Sequence, residues 1–303
     1  MDNYTNKTGI WLDHRFNMRD KKGIYHAHEP IYGFRKGHSE PDIVGKYINA
    51  YQIMKALSHL EFDSLLDVGA AEGYKAFIAK RLFGAKVNCS DLSRMACKRA
   101  AEVFCIDSVP ADIRRLPFKD AEFDVVLCSE TLEHVSDLHG AVDELLRVAS
   151  KAVVITVPHE PKHKVDRNVE KKVPHGHIHR FDVKSFDFLK ANGCFVYSKK
   201  MLDPLFKIPR FLLAAVPFES WEVNFPKNFT SIYISAVPVI TRIPFGKETA
   251  VFLMQLDNFT CKFSYEDILF VILKDNKYWR KNARNISANE IMSFIVPYHY
   301  LGK

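Results

Sequence analysis

Apolar positions along this chain follow two periods. From Ser64 onward, short runs of Leu, Val, Ile and Phe alternate with stretches in which apolar residues recur every three or four positions. SLLDVG (64–69), KVNCSD (86–91), FDVVLCSE (123–130) and KAVVITVP (151–158) read as strands. EGYKAFIAKRLF (72–83), SRMACKRAAEVF (93–104) and LHGAVDELLRVA (138–149) read as amphipathic helices. Apolar strands separated by helices predict a mostly parallel sheet covered on both faces. A helix precedes them, because Ile43, Tyr47, Tyr51, Met54 and Leu57 form one stripe after Pro41.

Outside this region the pattern weakens. Residues 1–40 mix glycine, histidine and aromatics without a period and read as an irregular lead-in. Beyond Pro158 a His- and Lys-rich loop leads to a helix at 182–193 and a strand at 194–202. The Pro- and Phe-rich insertion 203–228 reads as a lid on an acceptor pocket, and FTSIYISAVPV (229–239) as the last strand. The division expected is therefore a domain over 41–240 with that insertion, followed by a mainly helical appendix at 241–303.

Composition excludes several classes. A chain of 303 residues with 47% hydrophobic content supports a full core and is not disordered. The polar N-terminus and the short apolar runs offer neither a signal core nor a membrane span, so a cytoplasmic protein is expected. The six cysteines include no C-x-x-C pair and read as reduced core thiols. A net charge of +7, spread without a basic block, accommodates an anionic partner without requiring one.

Ligands of such sheets bind at the carboxyl ends of the strands. There the turn LLDVGAAEGY places Gly69, Ala71 and Gly73 where a dinucleotide-binding fold would have G-x-G-x-x-G. The last spacing is one residue too short for that motif, and no Lys-Ser/Thr follows, which excludes a nucleoside-triphosphate loop. Asp91 ends the next strand about 20 residues on, where a carboxylate accepts from ribose hydroxyls. Asp112 with Ile113 follows, suited to an adenine amino group and ring.

With LLDVGAAEGY, CSDLS, ADIRRLPFKDAEFDVVLCSETLEHV and AVVITVPHE in this order, the region 60–200 resembles the class I S-adenosylmethionine-dependent methyltransferases, particularly the type 11 group. The resemblance implies a Rossmann-like α/β fold with a mostly parallel seven-stranded sheet, and S-adenosyl-L-methionine as cofactor. It also implies that Asp67, Gly69, Ala71 and Gly73 surround the methionine part and Asp91, with Leu92 beside it, the ribose. Asp112 and Ile113 would hold the adenine, while Ser129 and Glu130 would border the amino-acid tail and methyl group. The departure is Ala71, where the family usually has glycine; with no pyrophosphate to approach the backbone, the alanine is expected to be tolerated.

Methyl transfer needs alignment, exclusion of water and, for a hydroxyl acceptor, a general base. Glu133, His134, His159 and His179 are the catalytic candidates by position, with His175 and His177 in the same loop. Glu133 and His134 are otherwise read as hydrogen-bonding the loop after strand four, and no metal is required. In a second reading Glu130, Glu133, His134 and His179 resemble the Mn2+ or Mg2+ site of the small-RNA 3'-terminal 2'-O-methyltransferases. The favoured function is methyl transfer to a small-molecule or glycan acceptor, at oxygen. The alternatives are a metal-dependent RNA ribose methyltransferase, with Tyr278 and Trp279 as base-stacking residues, and a non-catalytic cofactor-binding module.

Overall fold

The computed structural model describes residues 3–21, 23–33, 42–204 and 246–295. At its centre is a seven-stranded sheet in the order β3-β2-β1-β4-β5-β7-β6. The strands are β1 (Ser64–Val68), β2 (Lys86–Asp91), β3 (Asp107–Pro110), β4 (Phe123–Ser129), β5 (Ala149–Pro158), β6 (Phe195–Met201) and β7 (Asp267–Leu273). Strands β1 to β5 pair in parallel, and β7 runs antiparallel to both of its neighbours.

Pleating divides the core. Val125 and Leu127 of β4 face a cluster that includes α2 (Ile43–Leu57) and α3 (Tyr74–Phe83), whereas Val126 and Cys128 face α5 (Leu138–Val148). Both faces are therefore covered, which is why β4 and β5 carry near-continuous apolar runs. The helices α2, α3, α4 (Arg94–Phe104) and α5 lie where their periodicity predicts, and the stripe Ile43, Tyr47, Tyr51, Met54, Leu57 is buried. All six cysteines are free thiols, but Cys105 is exposed and Cys194 half-buried, so four of the six are buried as expected.

Four expectations are corrected. Residues 3–16, read as irregular, form helix α1, whose Leu12 and Phe16 pack on Ala96 of α4. Part of the loop after Pro158 is helix α6 (Lys162–Glu170), and the helix expected at 182–193 is reduced to a 3-10 segment at Asp187–Asn192. The C-terminal region is helical, with α7 (Gly246–Thr260) and α8 (Ala288–Met292), but it also supplies β7. That strand inserts between β5 and β6, pairing Val271 with Val154 and Tyr197, so the C-terminal region contributes Asp267–Leu273 to the sheet. The strand expected at 229–239 and the lid at 203–228, beyond Pro204, lie outside the described residues.

Candidate active site

The turn after β1 is built for close approach. Gly69 takes φ +71°, and a Cβ there would collide with the Thr131 side chain. Gly73, at φ +80°, caps α3, and its Cβ would meet Ala100 Cβ at 3.0 Å, so it serves helix packing. Ala71 also adopts the left-handed region, at φ +50°. Its methyl group packs against the cluster of Leu12, Phe16 and Ala96, so it braces α1 as well as bordering the cavity.

These residues open onto a cavity of about 660 Å3 at the carboxyl ends of the parallel strands. Gly69, Ala71, Asp91, Leu92, Asp112, Ile113, Ser129 and Glu130, all expected around a cofactor, line it. Asp67 and Gly73 lie behind the turn instead; Asp67 is buried, with its carboxyl pushed up to about 7 by desolvation. Asp91 accepts from Ala71 N at 2.9 Å and Ser93 N at 2.8 Å. Burial raises its carboxyl to about 6 against these two donors, and its remaining lone pairs suit a pair of hydroxyl donors.

Asp112 does not stand free. Arg114 grips it, with Nε at 3.0 Å from Oδ1 and Nη2 at 2.6 Å from Oδ2, and reaches onward to Thr5 Oγ1 of α1 at 2.9 Å. The acid beside the expected adenine position is thus tied to the N-terminal helix. Asp13 of α1 makes a second tie, accepting from Ser93 Oγ at 2.6 Å and Met95 N at 3.1 Å. The segment after α1 makes a third: Lys75 of α3 pairs with buried Glu29 at 2.6 Å, and Glu72 accepts from His28 N at 2.7 Å.

Glu130, in the left-handed region at φ +52°, ends β4 at the junction with a second cavity of about 430 Å3. Asp42, Lys46 and Glu130 line both cavities. Asn49 of α2 donates to Thr156 Oγ1 at 3.2 Å and to Glu130 Oε1 at 3.5 Å, fixing that junction. The wall of the second cavity carries the charged and polar residues His159, Glu160, Lys164, His177, Glu266 and Asp267.

The four catalytic candidates part company here. His159 Nδ1 lies 2.6 Å from Phe181 O, an obligate acceptor, so Nδ1 carries the proton and Nε2 is left with a lone pair in the neutral ring. Glu133 is fully buried, and desolvation with the nearby Glu130 charge raises its carboxyl well above the usual range. His134 is held neutral by burial and by His175 and His177; its ring stacks on His175 with centroids 3.6 Å apart. His179 lines neither cavity, and its Nε2 lies 2.6 Å from Val135 O.

The set Glu130, Glu133, His134 and His179 is not what converges. Among the described residues, metal-ligating atoms of Glu133, His134 and His177 lie within 4.8 Å of one another. Trp279 stacks on His59 at 4.4 Å with rings 7° from parallel and on Tyr197 at 5.5 Å. Sequence reasoning did not assign Lys46, Asn49, Arg114 or any residue of α1 to the site; Arg114 stands within ADIRRLPF beside the expected Asp112 and Ile113, whereas the others carry no local motif. No described helix is long and apolar enough to cross a membrane.

Residues 66–157 match a family model described as a methyltransferase domain. The chloroplastic tocopherol O-methyltransferase of Arabidopsis thaliana is 26% identical over 162 residues, 50% of this chain and 45% of that protein. Geranyl diphosphate C-methyltransferase from Streptomyces coelicolor, solved with Mg2+, geranyl diphosphate and S-adenosyl-L-homocysteine, superposes with a TM-score of 0.51. Its identity is 18%, over 90% of this chain and 98% of that one. The cyclase SpnF superposes with the same TM-score of 0.51 at 16% identity, over 88% and 93%. The solved structures share the fold, and the chain spans about half the length of the curated relatives it matches.

Proposed function

Since the chain belongs, through its domain at residues 66–157, to the class I S-adenosylmethionine-dependent methyltransferases of the type 11 group, we propose that it methylates a polar small-molecule or glycan acceptor at oxygen. One observation carries the acceptor reading: the first cavity meets a second, charged cavity at Lys46 and Glu130. Volumes of about 660 and 430 Å3 suit a nucleoside amino acid on one side and a compact acceptor on the other.

S-adenosylmethionine, when bound, supplies a methyl group already activated on a sulfonium. The rest falls to this chain. The Gly69–Ala71 turn would border the methionine portion, Asp91 would accept from the ribose hydroxyls, and Ile113 would pack on the adenine beside the Asp112–Arg114 pair. Helix α1 closes the cavity and excludes water. Lys46 and Glu130, at the junction of the two cavities, would orient an acceptor hydroxyl entering from the second cavity, and His159 Nε2 would take its proton. Glu133 is unsuited to that task because it is buried and lines neither cavity.

A panel of sugars and small hydroxylated acceptors, assayed for S-adenosylhomocysteine release, tests this reading. Turnover on one class, with His159→Gln lowering kcat by roughly 100-fold or more and leaving cofactor affinity unchanged, supports it. Tight cofactor binding without turnover on any acceptor favours a non-catalytic module. The RNA alternative is disfavoured by the carboxylate-rich acceptor wall and by the engagement of Trp279 with His59.

A further inference from the structure

We infer that Glu133, His134 and His177 form a binding site for one divalent transition-metal ion, oriented by Glu160. Their ligating atoms already lie within 4.8 Å of one another. Zinc-type bonds of about 2.0–2.2 Å place tetrahedral donors roughly 3.4 Å apart, so side-chain movement of about an ångström completes the set. Two imidazoles with one carboxylate select Zn2+, Co2+, Fe2+ or Mn2+ over the all-oxygen cations Mg2+ and Ca2+.

A second, independent feature points to a ligand. Glu133 is 1% exposed, and its Oε2 has no hydrogen-bond partner, a costly arrangement for a carboxyl group unless something binds it. His134 Nδ1 lies 3.2 Å from Gly176 O, which fixes the proton on Nδ1 and leaves Nε2 as the ligating atom, 3.6 Å from Glu133 Oε1. His177 Nδ1 stands 3.0 Å from Glu160 Oε2, an ion-pair distance without the alignment of a hydrogen bond, and Glu160 is itself held by Lys164. Carboxylate and carbonyl partners of this kind are what orient metal-bound imidazoles.

The location gives the ion a role. His134 lines the first cavity and His177 the second, so the ion lies where the two meet. Three protein ligands leave a coordination position open, and a polar acceptor group in the second cavity is the ligand it would take, polarised for transfer. This role rests on the function proposed above; the binding of the ion does not.

The test uses the whole chain, treated with chelator and then titrated with Co2+, with and without S-adenosylhomocysteine. Visible Co2+ absorption at one equivalent is expected for the wild type and for His179→Ala. It is expected to vanish in His177→Ala and Glu133→Gln, and Glu160→Gln should weaken binding by roughly 10–100-fold. Retained S-adenosylhomocysteine binding and melting temperature in each variant show that it is folded. No absorption by the wild type, or loss in His179→Ala with retention in His177→Ala, overturns the assignment. Co2+ binding without any S-adenosylhomocysteine binding leaves the metal site standing and removes the methyltransferase reading instead.

Discussion

The main-chain N–H of Ala71 donates to Asp91 Oδ2 at 2.9 Å, joining the turn after β1 to the carboxylate at the end of β2. Because burial raises Asp91 to about 6, its charge is set by pH near neutrality. Ribose hydroxyls donate to the ionised form, so affinity for S-adenosylhomocysteine should be level above pH about 6 and fall, approaching tenfold per unit, below it. Folding responds with the opposite sign. A carboxyl whose folded value is raised contributes stability below its unfolded value of about 4, and that contribution is lost as pH rises through about 6. Asp91→Asn should flatten both profiles, measured by calorimetry and thermal melts.

Gly69 and Thr131 are in mutual exclusion. Alanine at 69 would place its Cβ on the Thr131 side chain in a backbone conformation that disfavours any Cβ. Gly69→Ala is expected to weaken S-adenosylhomocysteine binding more than tenfold by calorimetry. Adding Thr131→Ala should restore part of the loss, since the hydroxyl and methyl are the nearest obstacles.

Ala71 sits at φ +50°, a conformation that costs a non-glycine residue about 1–2 kcal/mol. Ala71→Gly relieves that strain but loosens the unfolded chain by about 0.5–1 kcal/mol and removes a contact with α1. Chemical denaturation should therefore find it within about 1 kcal/mol of the wild type. Ala71→Val, with a branched Cβ at the same φ, should lose about 2 kcal/mol or more.

Lys75 and Glu29 form a buried ion pair at 2.6 Å that clamps the segment after α1 to α3. Although burial opposes ionisation, Lys75 keeps the Glu29 carboxyl below its ordinary range. Removing one partner strands the other, so Lys75→Met should destabilise by about 3–5 kcal/mol and weaken cofactor binding. The double variant Lys75→Met/Glu29→Leu should recover most of the stability in the same denaturation experiment.

What the sequence disclosed followed from how local each signal is. Strands β1, β2, β4 and β5 are short buried runs bounded by turns, and the carboxylates at their ends could be placed by counting. β7 was misread because DILFVIL is apolar at nearly every position, which suits a buried strand or a buried helix equally; only pairing with β5 and β6, distant in sequence, decides it. Helix α1 has few apolar residues facing one way and is held by Asp13, Leu12 and Phe16 against α4, contacts that have no sequence period. The histidines show the same limit. His177 and His179 are two residues apart in an irregular segment, and only the fold turns one toward Glu133 and the other toward Val135.

The central claim is that the cavity bounded by Gly69, Asp91 and Ile113 holds S-adenosylmethionine. Calorimetric titration of S-adenosylhomocysteine at neutral pH into the wild type and Asp91→Asn tests it most directly. The account predicts a one-site isotherm for the wild type, a raised melting temperature, and binding at least about tenfold weaker in Asp91→Asn, the loss of one charge-assisted contact. No heat and no change in melting temperature for a folded wild-type protein would contradict it.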